Sequence, residues 1–238
     1  QIIDSANIEP NDHIVEIGPG IGVLTAELLK KTPHVTSIEV DERMIPHIKK
    51  YLTNQRVTSS KLTLINANAL QTPMPNKKYK VVANIPYHIT SPLLRHVFLE
   101  SEIKPTSMAL LIQREVAEKI CNKKDRSMLT ILVGLFGTPK IITTVPPSAF
   151  LPPPKVDSAV LHIDCFNEPV ADPETIDEIF KLTKIAFSQR RKMLSNSFGA
   201  FPGGVELLSA LQIDKNRRPQ TLSVEEWVAL ATKSKEDK

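Results

Sequence analysis

A chain of 238 residues with 41% hydrophobic content and a formal net charge of +4 can bury a sizeable core, as one large domain or one large and one small. The modest positive balance permits a polyanionic partner without demanding one. Two cysteines, Cys121 and Cys165, with no CxxC and no histidine at ligand spacing, argue against zinc and against a disulfide framework and suit a reducing, cytoplasmic compartment. No apolar run reaches membrane-spanning length. The chain opens Gln1-Ile2-Ile3-Asp4, without a signal-peptide pattern or an initiator Met, so a fragment of a longer chain is expected.

In chain order, a strand over 13–17 runs into Gly18-Pro19-Gly20-Ile21-Gly22 and then into a helix over 21–31. Glycine lets the backbone turn sharply and approach a ligand closely. The spacing is G-x-G-x-G and not the dinucleotide pattern G-x-G-x-x-G, which disfavours a nicotinamide-linked dehydrogenase. A second strand, over 35–39, ends on Glu39, where a carboxylate can accept hydrogen bonds from both hydroxyls of a ribose. A helix over 42–53 and a strand over 62–67 follow.

The next strand, over 81–84, delivers Asn84-Ile85-Pro86-Tyr87, which points to a chemistry. The exocyclic amine of adenine is a poor nucleophile because its lone pair is delocalised into the ring. Two acceptors aimed at its N–H hydrogens draw the nitrogen towards tetrahedral geometry. The side-chain oxygen of Asn84 can be one and the backbone carbonyl of Ile85 the other. Pro86 fixes φ and stiffens the turn, and Tyr87 offers a face on which an extruded base can stack. A proline turn that merely ends a buried strand has the same letters. The apolar run Val81-Val82-Ala83 and the glycine loop upstream favour the chemical reading.

Helices are predicted over 91–100, 114–120 and 128–135, and strands over 107–113, 140–145 and 158–165, the last two as antiparallel partners. Between those two strands, five prolines bracket Phe150. Such a loop is extended and stiff and can hold a ring as a stacking wall, although composition alone favours Phe150 in the core. The sheet is expected to end near Phe166. Residues 167–173 read as a linker, followed by helices over 174–186, 189–197, 205–210 and 224–232. Arg190, Arg191 and Lys192 would point to different sides of their helix, so one or two face solvent. They can neutralise phosphates, or form an ordinary solvated face. The tail from Lys233 reads as a frayed end. The whole is an α/β chain: a mostly parallel, Rossmann-like sheet covered on both faces over 1–168, then a small all-helical domain over 172–238.

Taken together, the motifs resemble the ribosomal RNA adenine N6,N6-dimethyltransferases. They are E-x-G-P-G-x-G from Glu16, the acid Glu39, N-I-P-Y, Q-x-E-V-A from Gln113, F-x-P-P-P-K-V-D-S-A-V from Phe150 and F-S-Q-R-R-K from Phe187. The resemblance spans the chain from Ile3 to about Ala231 and is closest to the bacterial small-subunit, kasugamycin-resistance branch. The Phe150 and Phe187 segments are the most specific, because the large-subunit, erythromycin-resistance branch usually lacks both in this form. The resemblance implies a class I S-adenosylmethionine-dependent fold. It implies dimethylation of two adjacent adenines in the 3′-terminal hairpin of small-subunit rRNA, within a pre-30S particle. The cofactor would be held by Glu16, Gly18, Gly20, Gly22, Glu39, Asn68 and Asn84. The target would be held by Asn84, Ile85, Pro86, Tyr87 and Phe150, and RNA would dock on Arg190, Arg191 and Lys192. No general base is required, since alignment and hydrogen-bond polarisation carry most of the catalysis. No metal or membrane partner is implied, and a monomer is expected.

Three departures stand out. The family's Asp after the third strand is Asn68, which can accept a hydrogen bond but without charge assistance. His88 stands where Asn is common. The family's N-terminal G-Q-N-F-L segment, which lies over the cofactor, is missing, so weak cofactor binding by this chain is expected. An RNA-binding assembly factor with little catalysis, a large-subunit rRNA methyltransferase and a small-molecule N-methyltransferase remain as alternatives.

Overall fold

The computed structural model describes residues 2–58, 61–189, 191–199, 201 and 203–236. Its first half runs α1 (Ile2–Ser5), β1 (Ile14–Ile17), α2 (Val23–Lys31), β2 (Val35–Glu39), α3 (Met44–Asn54), β3 (Leu62–Asn66), β4 (Lys80–Asn84), α4 (Thr90–Arg95) and β5 (Ser107–Gln113). There follow α5 (Arg114–Cys121), α6 (Met128–Phe136), β6 (Gly137–Val145), β7 (Ser158–Cys165), α7 (Pro173–Ser188), α8 (Leu194–Phe198), α9 (Gly204–Ala210) and α10 (Val224–Glu236). The chain divides into two compact units, the first comprising Gln1–Glu118 and Gly137–Asn167.

Among the described residues of the first unit, seven strands form one sheet in the order β3-β2-β1-β4-β5-β7-β6. β1 to β5 are parallel, and β7 runs antiparallel to both β5 and β6. Every residue of β1 and β2 is buried, as parallel strands covered on both faces require. Ile14, Val35, Val82 and Ala109 make a core with Ala6 and Leu28, against which Ile2 and Ile3 of α1 pack. Ala26, Ile48 and Leu52 seat α2 and α3. The edge strand β6 alternates half-buried and exposed residues after the buried Gly137 and accommodates Pro139, whose missing N–H is tolerated at an edge. The chain steps outward from β1 through β2 to β3, then returns to pair β4 with the other side of β1. That reversal opens a crevice at the carboxyl ends of β1 and β4. The glycine loop follows one of these strands and Asn84–Tyr87 the other.

Of the helix boundaries that differ from the periodicity, two have a visible local cause. The helix expected from residue 21 begins at Val23, because Gly22 sits in the left-handed region as its N-cap (φ 94°). The helix expected over 91–100 is α4 followed by a widened π turn, His96–Glu100. There the His96 ring is held by the Glu100 carboxylate at 2.7 Å and by the Thr72 carbonyl at 2.9 Å.

The second unit joins Lys119–Phe136 to the chain from Glu168 onward. The contiguous boundary expected at 168–172 therefore misses α6. That helix is apolar nearly all round, with Ile131, Leu132, Val133, Leu135 and Phe136 buried. At Gly134 an added Cβ would stand 2.7 Å from Val224 Cγ2. The Val170 N–H donates to the Leu135 carbonyl at 2.9 Å. Trp227 is fully buried, with the rings of Phe187 and Phe198 at 6.2 and 6.4 Å. Asp172 caps α7 by accepting from Thr175 N at 2.9 Å, and the hydrogen bonds from Thr175 pull its carboxyl down to about 2. Ser223 and Glu226 form a reciprocal capping box at the start of α10.

Two expectations fail in this unit. Over its described residues the tail from Lys233 is not frayed: α10 continues to Glu236, and the Ser234 hydroxyl donates to the buried Glu178 carboxylate at 2.8 Å, residues 237 and 238 lying outside the described residues. The helix expected over 189–197 is reduced to its C-terminal end, with Arg190 outside the described residues. α7 ends at Ser188, and Lys192 N donates to Gln189 O in a turn at 2.8 Å. α8 begins only at Leu194, where Leu194 and Phe198 bury one face. The first donors of α8 are satisfied from outside the helix, Leu194 N by Arg217 O at 2.8 Å and Ser195 N by Lys215 O at 2.9 Å. Among the described residues, no helix is long and apolar enough to cross a membrane.

Candidate active site

The crevice has two sides, and the first is built on β1 and β2. Gly18, Gly20 and Gly22 take φ of 66°, 57° and 94°, a region that side chains disfavour. Gly18 N donates to Ile38 O at 2.9 Å, which pins the loop against β2, and Gly22 N donates to Pro19 O at 2.9 Å to close a turn within it. At Gly20 the position of a Cβ meets open space, whereas at Gly22 it would lie 3.2 Å from Ile48 Cγ2. Gly20 therefore leaves the backbone approachable, and Gly22 lets α2 close on α3.

Glu39 is 6% exposed. Its Oε2 accepts from Gly20 N at 3.2 Å and its Oε1 from Asp41 N at 2.9 Å, so each oxygen keeps lone-pair capacity for a further donor. Glu16 lies fully buried. Its Oε2 accepts from Thr25 Oγ1 at 2.7 Å and Ser37 Oγ at 2.6 Å, while Oε1 has no partner. Burial pushes the Glu16 carboxyl up to about 7; the two hydroxyls pull the other way and the Glu39 charge adds to the rise. At the strand ends, Val40 is 70% and Ile21 53% exposed. Asn68 is exposed, and its Oδ1 accepts from Leu70 N at 3.0 Å. Open glycine backbone, a carboxylate with spare lone pairs, two exposed aliphatic side chains and a free amide edge suit a nucleoside with a short polar tail.

The second side begins at the end of β4. A Cβ at Gly18 would lie 3.7 Å from Pro86 Cδ, so the glycine loop abuts the proline turn. Asn84, Ile85, Pro86, Tyr87, Phe150, Pro152 and Pro154 line one cleft of about 280 Å³. Asn84 is exposed, and its side-chain amide has no partner among the described residues. Ile85 is buried, its side chain anchoring the turn and leaving the backbone at the cleft. The Tyr87 hydroxyl shares a hydrogen bond of 2.7 Å with Ser158 Oγ, and Ser158 is fully buried. Phe150 is half-buried with extended backbone (φ −120°, ψ 154°). It is a wall of the cleft and not a core residue, contrary to the reading from composition. The far end of the proline loop is fastened by Arg114, whose N donates to Asp157 O at 2.9 Å and whose Nη1 bonds Asp157 Oδ2 at 2.7 Å.

A nucleoside groove meeting a base-sized cleft at an unpartnered amide is the arrangement an adenine-modifying enzyme needs. The family model for ribosomal RNA adenine dimethylase matches residues 1–236. The chain belongs to this family. A relative from Dehalococcoides mccartyi named Ribosomal RNA small subunit methyltransferase A is 39% identical over 241 residues, covering 97% of this chain and 81% of that protein. The crystal structure of a dimethyladenosine transferase from Plasmodium falciparum superposes with a TM-score of 0.84 at 27% identity, covering 99% of this chain and 94% of the other. The crystal structure of the 23S rRNA methyltransferase ErmE shares the fold, with a TM-score of 0.76 at 24% identity, covering 97% of this chain and 94% of that one. The fold is that of class I methyltransferases.

In this rRNA adenine dimethylase, all five residues expected around a target base line the one cleft, and Gly18, Gly20, Gly22, Glu39 and Asn68 stand at the adjoining loop and strand ends. Glu16 lies beneath them, tying β1, α2 and β2 together through hydroxyls. Arg191 and Lys192 are exposed on a turn and not a helix, and Arg190 lies outside the described residues. His88 is exposed in the 3₁₀ turn Tyr87–Ile89. Sequence reasoning missed Ser158, which positions Tyr87, and Val40, the aliphatic neighbour of Glu39. A serine in a strand carries no signal by itself. Val40 was detectable as an apolar residue just after a strand-ending acid. Among the described residues, no group of three or more His, Cys, Asp or Glu side chains could hold a metal.

Proposed function

We propose that this chain transfers methyl groups from S-adenosylmethionine to the N6 amines of two adjacent adenines in the 3′-terminal hairpin of small-subunit rRNA. The observation that carries the reading is the exposed Asn84 amide, without a partner among the described residues, at the mouth of a cleft walled by Tyr87 and Phe150. The small-subunit assignment draws its support from the 39% identical relative and from the Phe150 and Phe187 segments.

When bound, the sulfonium cofactor supplies an electrophilic methyl group. Glu39 would hold the ribose hydroxyls, the loop through Gly18 and Gly20 would face the methionine end, and Val40 would pack on the base. Asn68 can accept from the adenine amine with the remaining lone pair of Oδ1. At the target, Asn84 Oδ1 and the Ile85 carbonyl accept from the two N–H groups and hold the nitrogen lone pair towards the crevice. Tyr87 and Phe150 stack on the ring. Most of the acceleration then comes from alignment and preorganised acceptors. Arg190, Arg191 and Lys192 contribute phosphate contacts.

The test uses small subunits from cells lacking this protein. Incubated with the chain and labelled cofactor, they should take up methyl groups at the two adjacent adenines. Labelling of large-subunit RNA instead, or of neither, would overturn the proposal.

A further inference from the structure

Beyond the groups that hold the target base, an aliphatic side chain stands almost wholly in solvent among the described residues. Leu151 is 98% exposed, far above the other exposed large hydrophobics. It follows Phe150 and precedes Pro152, both of which line the cleft. The backbone at Phe150 is extended, and Leu151, unlike its two neighbours, does not line the cleft. Phe150 faces the cleft and Leu151 faces away from it, outward from the lip. Between Pro146 and Val156, Lys155 is the only charged residue, and Pro146, Leu151, Pro152 and Pro153 are all exposed. The tip is apolar, and its prolines hold it stiff.

We infer that Leu151 is a wedge that enters the RNA base stack as the target adenine leaves it. This rests on the proposed function. Extruding a base from a stack leaves an unstacked gap, and proteins that distort nucleic acids fill such gaps with Leu, Ile, Phe or Met. A wedge has to be apolar, presented on a rigid segment and next to the pocket that receives the base. Leu151 meets all three conditions. Its partner is a nucleobase face flanking the target, and the same stiff loop that stacks the extruded base on Phe150 closes the space behind it.

The experiment compares two RNAs with the intact chain. One is the folded 3′-terminal hairpin with 2-aminopurine at the target position, whose fluorescence rises on extrusion. The other is an unstructured oligonucleotide of the same local sequence, in which there is no stack to open. Leu151→Ala should weaken binding and extrusion on the hairpin about tenfold, in the range of a single base-stacking interaction, and leave binding to the unstructured RNA unchanged. Leu151→Met should restore the hairpin signal and Leu151→Ser should not. The melting temperature should not move, since the side chain packs on nothing. Equal losses on both RNAs, or none on the hairpin, would overturn the wedge while leaving methylation by the wild-type chain intact. A loss seen only with whole subunits and not with the hairpin would point to a protein partner and would overturn it too. Failure of the proposed function looks different: the wild-type chain then methylates neither hairpin nor subunits.

Discussion

The two sides of the crevice are made rigid by opposite means. The β1–β2 side bends through three glycines at positive φ and rests on the buried carboxylates Glu16 and Glu39, which hold the hydroxyls of Thr25 and Ser37 and the backbone N–H groups of Gly20 and Asp41. The β4–β7 side is held by prolines, whose φ is locked covalently, and by a Tyr87–Ser158 clasp at 2.7 Å. A polar, buried scaffold is sensitive to its protonation state. A proline scaffold is not. Conditions and mutations should therefore divide between the sides.

The largest expected effect is on the chemistry where the sides meet. Asn84→Ala should lower methyl transfer about 10²–10³-fold, the usual loss for one transition-state hydrogen bond, while calorimetry finds cofactor affinity largely retained. Near-normal turnover at saturating substrate would remove Asn84 from the mechanism.

Next comes the acid under the glycine loop. The folded-state pKa of Glu16 is raised from 4.5 to about 7, so the native state holds a proton that the unfolded chain releases across that window. Stability contributed by this group is full below about 4.5 and is lost as pH rises through about 7, a change of about 3 kcal/mol. Urea titrations should show Glu16→Gln flattening that slope. An identical slope in the variant would mean that Glu16 titrates normally.

On the proline side, Phe150→Ala should lose about 1–3 kcal/mol in RNA methylation through weaker stacking with little change in melting temperature. A drop confined to melting temperature would make the ring structural. Tyr87→Phe keeps the ring and removes the clasp to Ser158. It should cost about 1 kcal/mol, read as a lower kcat at similar cofactor affinity, and Ser158→Ala should not add to it. Additive losses would show that the two hydroxyls act separately. The smallest effect belongs to the cations beyond both sides. Neutralising Arg190, Arg191 and Lys192 should lower the salt slope of subunit binding by about 0.7–0.9 for each phosphate that the variant no longer neutralises and leave turnover of bound subunits unchanged.

Most of the sheet was legible because β1, β4, β5 and β7 carry short apolar runs bounded by turn residues, and burial on both faces leaves such runs little other use. The site's chemistry was legible where local sequence dictates local shape: glycines at a strand end, a proline after Asn84, an acid at the end of β2. The expected helix over 189–197 failed because periodicity says nothing of where backbone donors find acceptors. Arg217 and Lys215, far along the chain from Leu194 and Ser195, supply those acceptors and let the chain turn at Gln189 instead. The continuous domain boundary failed for a related reason. α6 is a helix in either reading, but its apolar surface does not say which neighbours will cover it.

By itself, then, the sequence determined the family, most of the elements and the Asn84–Tyr87 turn at the end of β4, since each is written in neighbouring positions whose steric and hydrogen-bonding demands are local. Tertiary structure alone decided that Phe150 is a wall and not core, that Ser158 holds Tyr87, that Glu16 is buried with one oxygen unpartnered, and that Leu151 stands in solvent. Each of these depends on how segments distant in the chain come together. Burial and pairing are properties of the assembled packing and not of any single stretch.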